Sequence, residues 1–91
     1  MWVVDLSRVE DKLWKLPKPI FTRFHRWVDQ INEAGMPIVR KIPGLHDEPL
    51  KGRRSGQRSV RLNRSWRVIY QEFPSGEITI IEIQEITKHE Y

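Results

Sequence analysis

Cysteine is absent from the 91 residues, which excludes disulfides and thiolate metal sites and suits a reducing compartment. Histidine is scarce: three scattered residues, with no metal-ligand spacing among them. No apolar run approaches the roughly 18 residues of a membrane span. The opening M-W-V-V-D-L-S has neither the basic flank nor the apolar core of a secretory leader, so a cytoplasmic address is expected. Familiar catalytic signatures are missing as well. There is no G-x-S-x-G, no phosphate-cradling glycine loop and no H-E-x-x-H, so the chain is expected to use neither metal nor cofactor. The last absence is local: no acid occurs between Glu48 and Glu72.

What fills that acid-free interval is cationic. Lys51, Arg53, Arg54, Arg58, Arg61, Arg64 and Arg67 put seven of the sixteen cations within seventeen residues, while five of the twelve acids follow residue 71. A net charge of +4 therefore understates the asymmetry. A charged fraction of 31% beside 38% hydrophobic residues is globular composition, and 91 residues make a single domain over 1–91. Apolar residues alternate with the arginines, so the basic run folds rather than floats. Guanidinium groups fork onto phosphate better than any other side chain, and a folded basic face of this density fits a polyanion, with an acidic protein as the other possible partner.

Taken in order, residues 1–5 are β-branched and aromatic and predict a first strand. Ser7 followed by Glu10 has the form of a capping box and predicts a helix from about Arg8, with Leu6, Val9, Leu13 and Leu16 on its core face. Pro17 and Pro19 close it and open a second helix over residues 20–34. Its stripe is Phe21, Phe24, Val28 and Ile31, widened by Ile20 and Trp27. Gly35 and Pro37 end this helix. Residues 38–49 predict a loop with at most one helical turn. From Gln57 the period becomes two. Val60, Leu62, Trp66, Val68 and Tyr70 form one face and Ser59, Arg61, Arg67, Ile69 and Gln71 the other, with a turn at Asn63-Arg64-Ser65. A second turn over residues 73–76 leads to a strand over residues 77–85. The expected class is α+β, in the order β-α-α-β-β-β: a small sheet with a two-helix hairpin on one face. With Val60, Leu62, Trp66, Val68 and Tyr70 under the helices, the pleat brings Arg61 and Arg67 together on the open face.

Glu48, Lys51, Arg61, Arg67, His89 and Tyr91 are the residues able to carry chemistry. Such a set suits cleavage of RNA through its own 2′-hydroxyl, which needs a base, cations for the charge gathering on phosphorus, and a proton for the leaving 5′-oxygen. His89, with an unperturbed pKa near neutrality, is a candidate general acid. His46, two residues before Glu48, is the reserve for either role. Arg53, Arg54, Arg58 and Arg64, with Lys51, form an expected RNA-binding footprint. His25, beside the stripe of the second helix, is expected to be structural, and the four tryptophans are core or partner-facing.

E-P-L-K-G, a basic hairpin ending W-R-V-I-Y, an I-x-I-x-E-I strand and a closing K-H-E-Y together resemble the RelE/ParE toxin superfamily, most closely its YoeB-like and HigB-like branches. The shared order of these motifs covers nearly the whole chain. The resemblance implies the RelE-like microbial RNase fold, with Glu48 as general base, Arg67 neutralising the scissile phosphate and Tyr91 as the terminal functional aromatic. His89 stands one residue further from the end than in the H-Y close of YoeB-like chains. It further implies the toxin of a type II toxin-antitoxin system, a ribosome-dependent mRNA endonuclease held in check by a cognate antitoxin. Two alternatives stand beside it: a ParE-like toxin that inhibits DNA gyrase, and a basic ribosome-binding module without turnover.

Overall fold

The computed structural model describes residues 1–88, so His89 and Tyr91 lie outside the described residues. Five strands form one sheet: β1 (Trp2–Asp5), β2 (Glu48–Pro49), β3 (Arg58–Arg61), β4 (Trp66–Ser75) and β5 (Ile78–Lys88). Their order across the sheet is β1-β5-β4-β3-β2, with β1 parallel to β5 and every other pair antiparallel. Helices α1 (Glu10–Leu13), α2 (Lys18–Ala34) and α3 (Met36–Val39) lie between β1 and β2 in the chain. Among the described residues no helix is long and apolar enough to cross a membrane.

The expected α+β architecture is present, with four differences of detail. The first concerns the start of the helical region. α1 is a single turn, and Ser7 does not cap it. Instead the Asp5 carboxylate accepts the Ser7 backbone N–H at 2.9 Å, which holds the Asp5 pKa below its ordinary value. An Asx-type turn has taken the place of a capping box.

The second is the rotation of α2. Its buried residues are Ile20, Phe24, Trp27 and Ile31, while Phe21 is 40% exposed. Ile20/Trp27 and Phe21/Val28 both repeat at seven residues. Burying the indole removes more apolar area from water, so the helix turns to favour it.

The third is β2, two residues of edge strand inside the stretch expected to be loop. Pro49 is tolerated there because an edge strand has a side that needs no N–H donor.

The fourth is the last hairpin. β4 continues through Pro74 to Ser75, and the turn is Gly76 and Glu77, with Gly76 at φ 60°. Pro74 falls where β4 has β5 as its one strand neighbour, since β3 ends its pairing at Tyr70.

The core lies between the helices and one face of the sheet. Val9, Ile20, Phe24, Trp27, Ile31, Met36 and Val39 meet Val60, Leu62, Val68, Tyr70, Ile81, Ile83 and Ile86 there. At its centre the Trp27 and Tyr70 rings are 5.5 Å apart. One register shift interrupts the β4–β5 ladder: Ile69 faces Glu85 and Tyr70 faces Ile83, so Gln84 is an extra residue, a β-bulge. Because of it Ile83 and Ile86, three residues apart, both point into the core.

Candidate functional site

The alternation of β3 and β4 sends Val60 and Val68 under the helices and leaves Arg61 and Arg67 as direct cross-strand partners on the opposite face. Both arginines are half-buried. The Arg61 Nε is buried and has no hydrogen-bond partner among the described residues. On the neighbouring edge, Glu48 of β2 stands opposite Ser59. Ser59 is two residues along β3 from Arg61, so the carboxylate and both guanidinium groups share a face. A diagonal cross-strand neighbour is about 7–8 Å away, within reach of long side chains. Glu48 itself is exposed.

The seven cations of the basic run divide into two groups. Arg54 ties the Gly52–Arg54 turn to β5, with Nη2 2.6 Å from Glu85 Oε2 and Nη1 3.0 Å from Gln57 Oε1. Since β5 lies two strands beyond β3, that bridge laps the β2–β3 loop over the open face, where Ser59 and Ile69 are 2% and 8% exposed. Arg58 lies on the other face, beside Tyr70, and its Nε donates to Asp47 at 2.6 Å. Burial alone would lower the Arg58 pKa, and its bond to Asp47 with that residue's charge outweighs the burial. Arg54 and Arg58, both expected in the RNA-binding footprint, are thus each paired with an acid. Lys51, Arg53, Arg61, Arg64 and Arg67 make no ion pair among the described residues.

His46 ends the Pro43–Leu45 turn in the left-handed region, φ 46°, with its side chain exposed. His25 is also exposed, against Asp29 at 3.2 Å and stacked on Phe21, rather than packed inside. β5 runs on to Lys88 opposite Trp66, next to the Arg67–Thr87 pair. Among the described residues no group of three or more His, Asp or Glu is placed to hold a metal ion.

Sequence reasoning missed Asp47. Its side chain is 1% exposed and accepts hydrogen bonds from Arg58 Nε and from the Tyr70 hydroxyl. Burial pushes the Tyr70 hydroxyl pKa well above the usual phenol range, and the bond to Asp47 and its negative charge push the same way. Arg40, ion-paired with Glu72, adds an opposing pull on Tyr70 and borders the same cluster, beside a cleft of about 220 Å³. A signal existed: the period of two pointed Tyr70 inward, and a buried phenol needs a partner.

No protein-family model and no curated protein sequence matches the chain. Solved structures do. The YoeB/ParE toxin from Agrobacterium tumefaciens aligns with TM-score 0.62 and 20% identity, covering 98% of each chain. YafQ from E. coli aligns with TM-score 0.63 and 12% identity over 97% of this chain and 91% of its own. A chain of the YoeB-YefM complex from Staphylococcus aureus aligns with TM-score 0.60 and 20% identity over 100% and 97%. The likeness is one of fold.

Proposed function

We propose that this protein, which has the fold of the RelE/ParE-type toxins, is the toxin of a type II toxin-antitoxin pair and cleaves mRNA on the ribosome. One observation carries the reading: Arg61 and Arg67 face each other across β3 and β4, with Glu48 on the same face, diagonal to Arg61 and one strand further from Arg67. In this reading Glu48 takes the proton of a ribose 2′-hydroxyl. The 2′-oxygen bonds to phosphorus, the bond from phosphorus to the 5′-oxygen breaks, and the products are a 2′,3′-cyclic phosphate and a 5′-hydroxyl. Arg67 and Arg61 neutralise the charge that gathers on the phosphoryl oxygens. The leaving oxygen needs a proton, for which His89 or Tyr91 is the donor the family pattern suggests. Lys51, Arg53 and Arg64 bind the flanking RNA electrostatically.

The cationic face also suits an acidic antitoxin segment that folds as it docks. A partner of that kind has apolar surface available as well, a cleft of about 570 Å³ bordered by Leu13, Trp14, Leu16, Lys18 and Phe21, with Trp14 77% exposed. Among the matched structures, YoeB of Staphylococcus aureus is described as a complex with YefM. An mRNA substrate and a ribosome place the action in the cytoplasm.

The test is primer extension on a defined message, with and without ribosomes, for the parent and Arg67→Ala. Loss of one electrostatic contact at the reacting phosphate is expected to cost about 10²–10³ in rate. Equal cleavage by both proteins rules the mechanism out. A parent that leaves messages whole but blocks gyrase supercoiling turns the assignment to the ParE-like alternative.

A further inference from the structure

β2 presents the proposed base, yet on its own it is a weak support. It is two residues long, pairs among the described residues with β3 alone, and includes a proline with no N–H to give. It lies between a 3-10 turn ending in the left-handed His46 and a second 3-10 turn at Gly52–Arg54. Side chains of a strand alternate, so a slip of one residue would send Glu48 to the helix face and Asp47 to the open one. Something other than strand pairing has to set that phase.

Resting on the reading of Glu48 as base, we propose that Asp47 is a positioning residue: Tyr70 and Arg58 hold its carboxylate on the helix side of the sheet, and this fixes Glu48 on the opposite side, a diagonal from Arg61. The anchor is stiff. Tyr70 is fully buried, its ring packs against Trp27, and its hydroxyl lies 3.6 Å from the Met36 sulfur while donating to Asp47. Arg58 belongs to β3 and pairs with both Pro49 and Tyr70, so the clamp joins β2, β3 and β4 at one point. The buried carboxylate accepts from two donors, and moving it to the exposed side would leave the Tyr70 hydroxyl without its acceptor. The register in which Glu48 faces the arginines is therefore the one that satisfies the core.

Two measurements test this, one independent of RNA cleavage. The chain has no cysteine, so a Glu48→Cys/Ser59→Cys pair reports the register without background. The two positions are direct partners, and such Cβ atoms lie about 4.5–5.5 Å apart. On mild oxidation the pair is expected to close in the parent and to close severalfold less after Tyr70→Phe or Asp47→Ala. Tyr70→Phe keeps the ring and carries the test if Asp47→Ala does not fold. Equal closure in every background overturns the proposal.

The second measurement is single-turnover cleavage on programmed ribosomes. Displacing a catalytic group by about an ångström costs on the order of 10²-fold. A drop of about 10- to 100-fold at saturation, with half-saturation unchanged, is expected for Tyr70→Phe. In a Glu48→Gln background the same change is expected to do less than about twofold further, because there is no base left to misplace. An equal loss in both backgrounds assigns Tyr70 a general structural role and overturns the positioning. A parent that does not cleave overturns the nuclease reading instead, and the cysteine pair then decides the clamp alone.

Discussion

Tyr70 joins the packing of the core to the ionic chemistry of the sheet edge, and its hydroxyl makes that joint measurable. Its pKa is raised on folding, so the stability it contributes is complete below the unfolded value of about 10 and is lost as pH climbs towards the higher folded one. Urea unfolding at pH 8 and pH 11 is expected to show a loss in the parent and a smaller one in Tyr70→Phe. At pH 8 that variant is expected to cost about 1–3 kcal/mol, the price of a buried carboxylate short of one donor. Single residues were unevenly legible. Arg61 and Arg67 followed from alternation, which is a local property. Asp47 did not, because its partner Tyr70 is 23 residues away and nothing local distinguishes it from an ordinary loop acid.

At the level of elements, the junction of α2 and α3 leaves no room for a side chain at Gly35. Gly35 has φ 83°, and a Cβ there would lie 2.7 Å from the Trp2 indole Nε1. With ψ 155° the backbone lies in a region that glycine alone occupies readily and that costs another residue about 1–3 kcal/mol, and the indole of β1 would have to move besides. Gly35→Ala is therefore expected to lower stability by more than about 1 kcal/mol by chemical denaturation. Gly44→Ala is the control: among the described residues no atom beyond its chain neighbours lies within 4 Å of its Cβ position, and the change is expected to stay within about 0.5 kcal/mol. Strong periodicity made α2, β3 and β4 readable, and prolines marked where helices stop. β2 escaped because two residues have no period. The face of α2 turned on whether Trp27 or Val28 leads the stripe, which the demand of the sheet for apolar area decides rather than the helix itself.

For the molecule as a whole, the division of the cations sets how it meets a polyanion. Lys51, Arg53, Arg61, Arg64 and Arg67 are without acid partners among the described residues, whereas Arg54 and Arg58 are held. Each phosphate neutralised on a single strand adds about −0.7 to the slope of log K against log salt. Arg53→Ala and Arg64→Ala are each expected to flatten that slope by about 0.7 in fluorescence anisotropy on a short RNA, and Arg54→Ala by clearly less. Legibility at this scale was high, since the order of elements follows from patterning that spans the chain. The bulge at Gln84 was hidden, because isoleucines at 78, 80, 81, 83 and 86 fit no single period. That one surplus residue acts as a parity switch, reversing which neighbours look inward for everything downstream. Homologues that lack it should show, from the position of Glu85 onward, polar and apolar residues exchanged, and an alignment drawn straight through without a gap would assign the end of their last strand to the wrong side of the sheet.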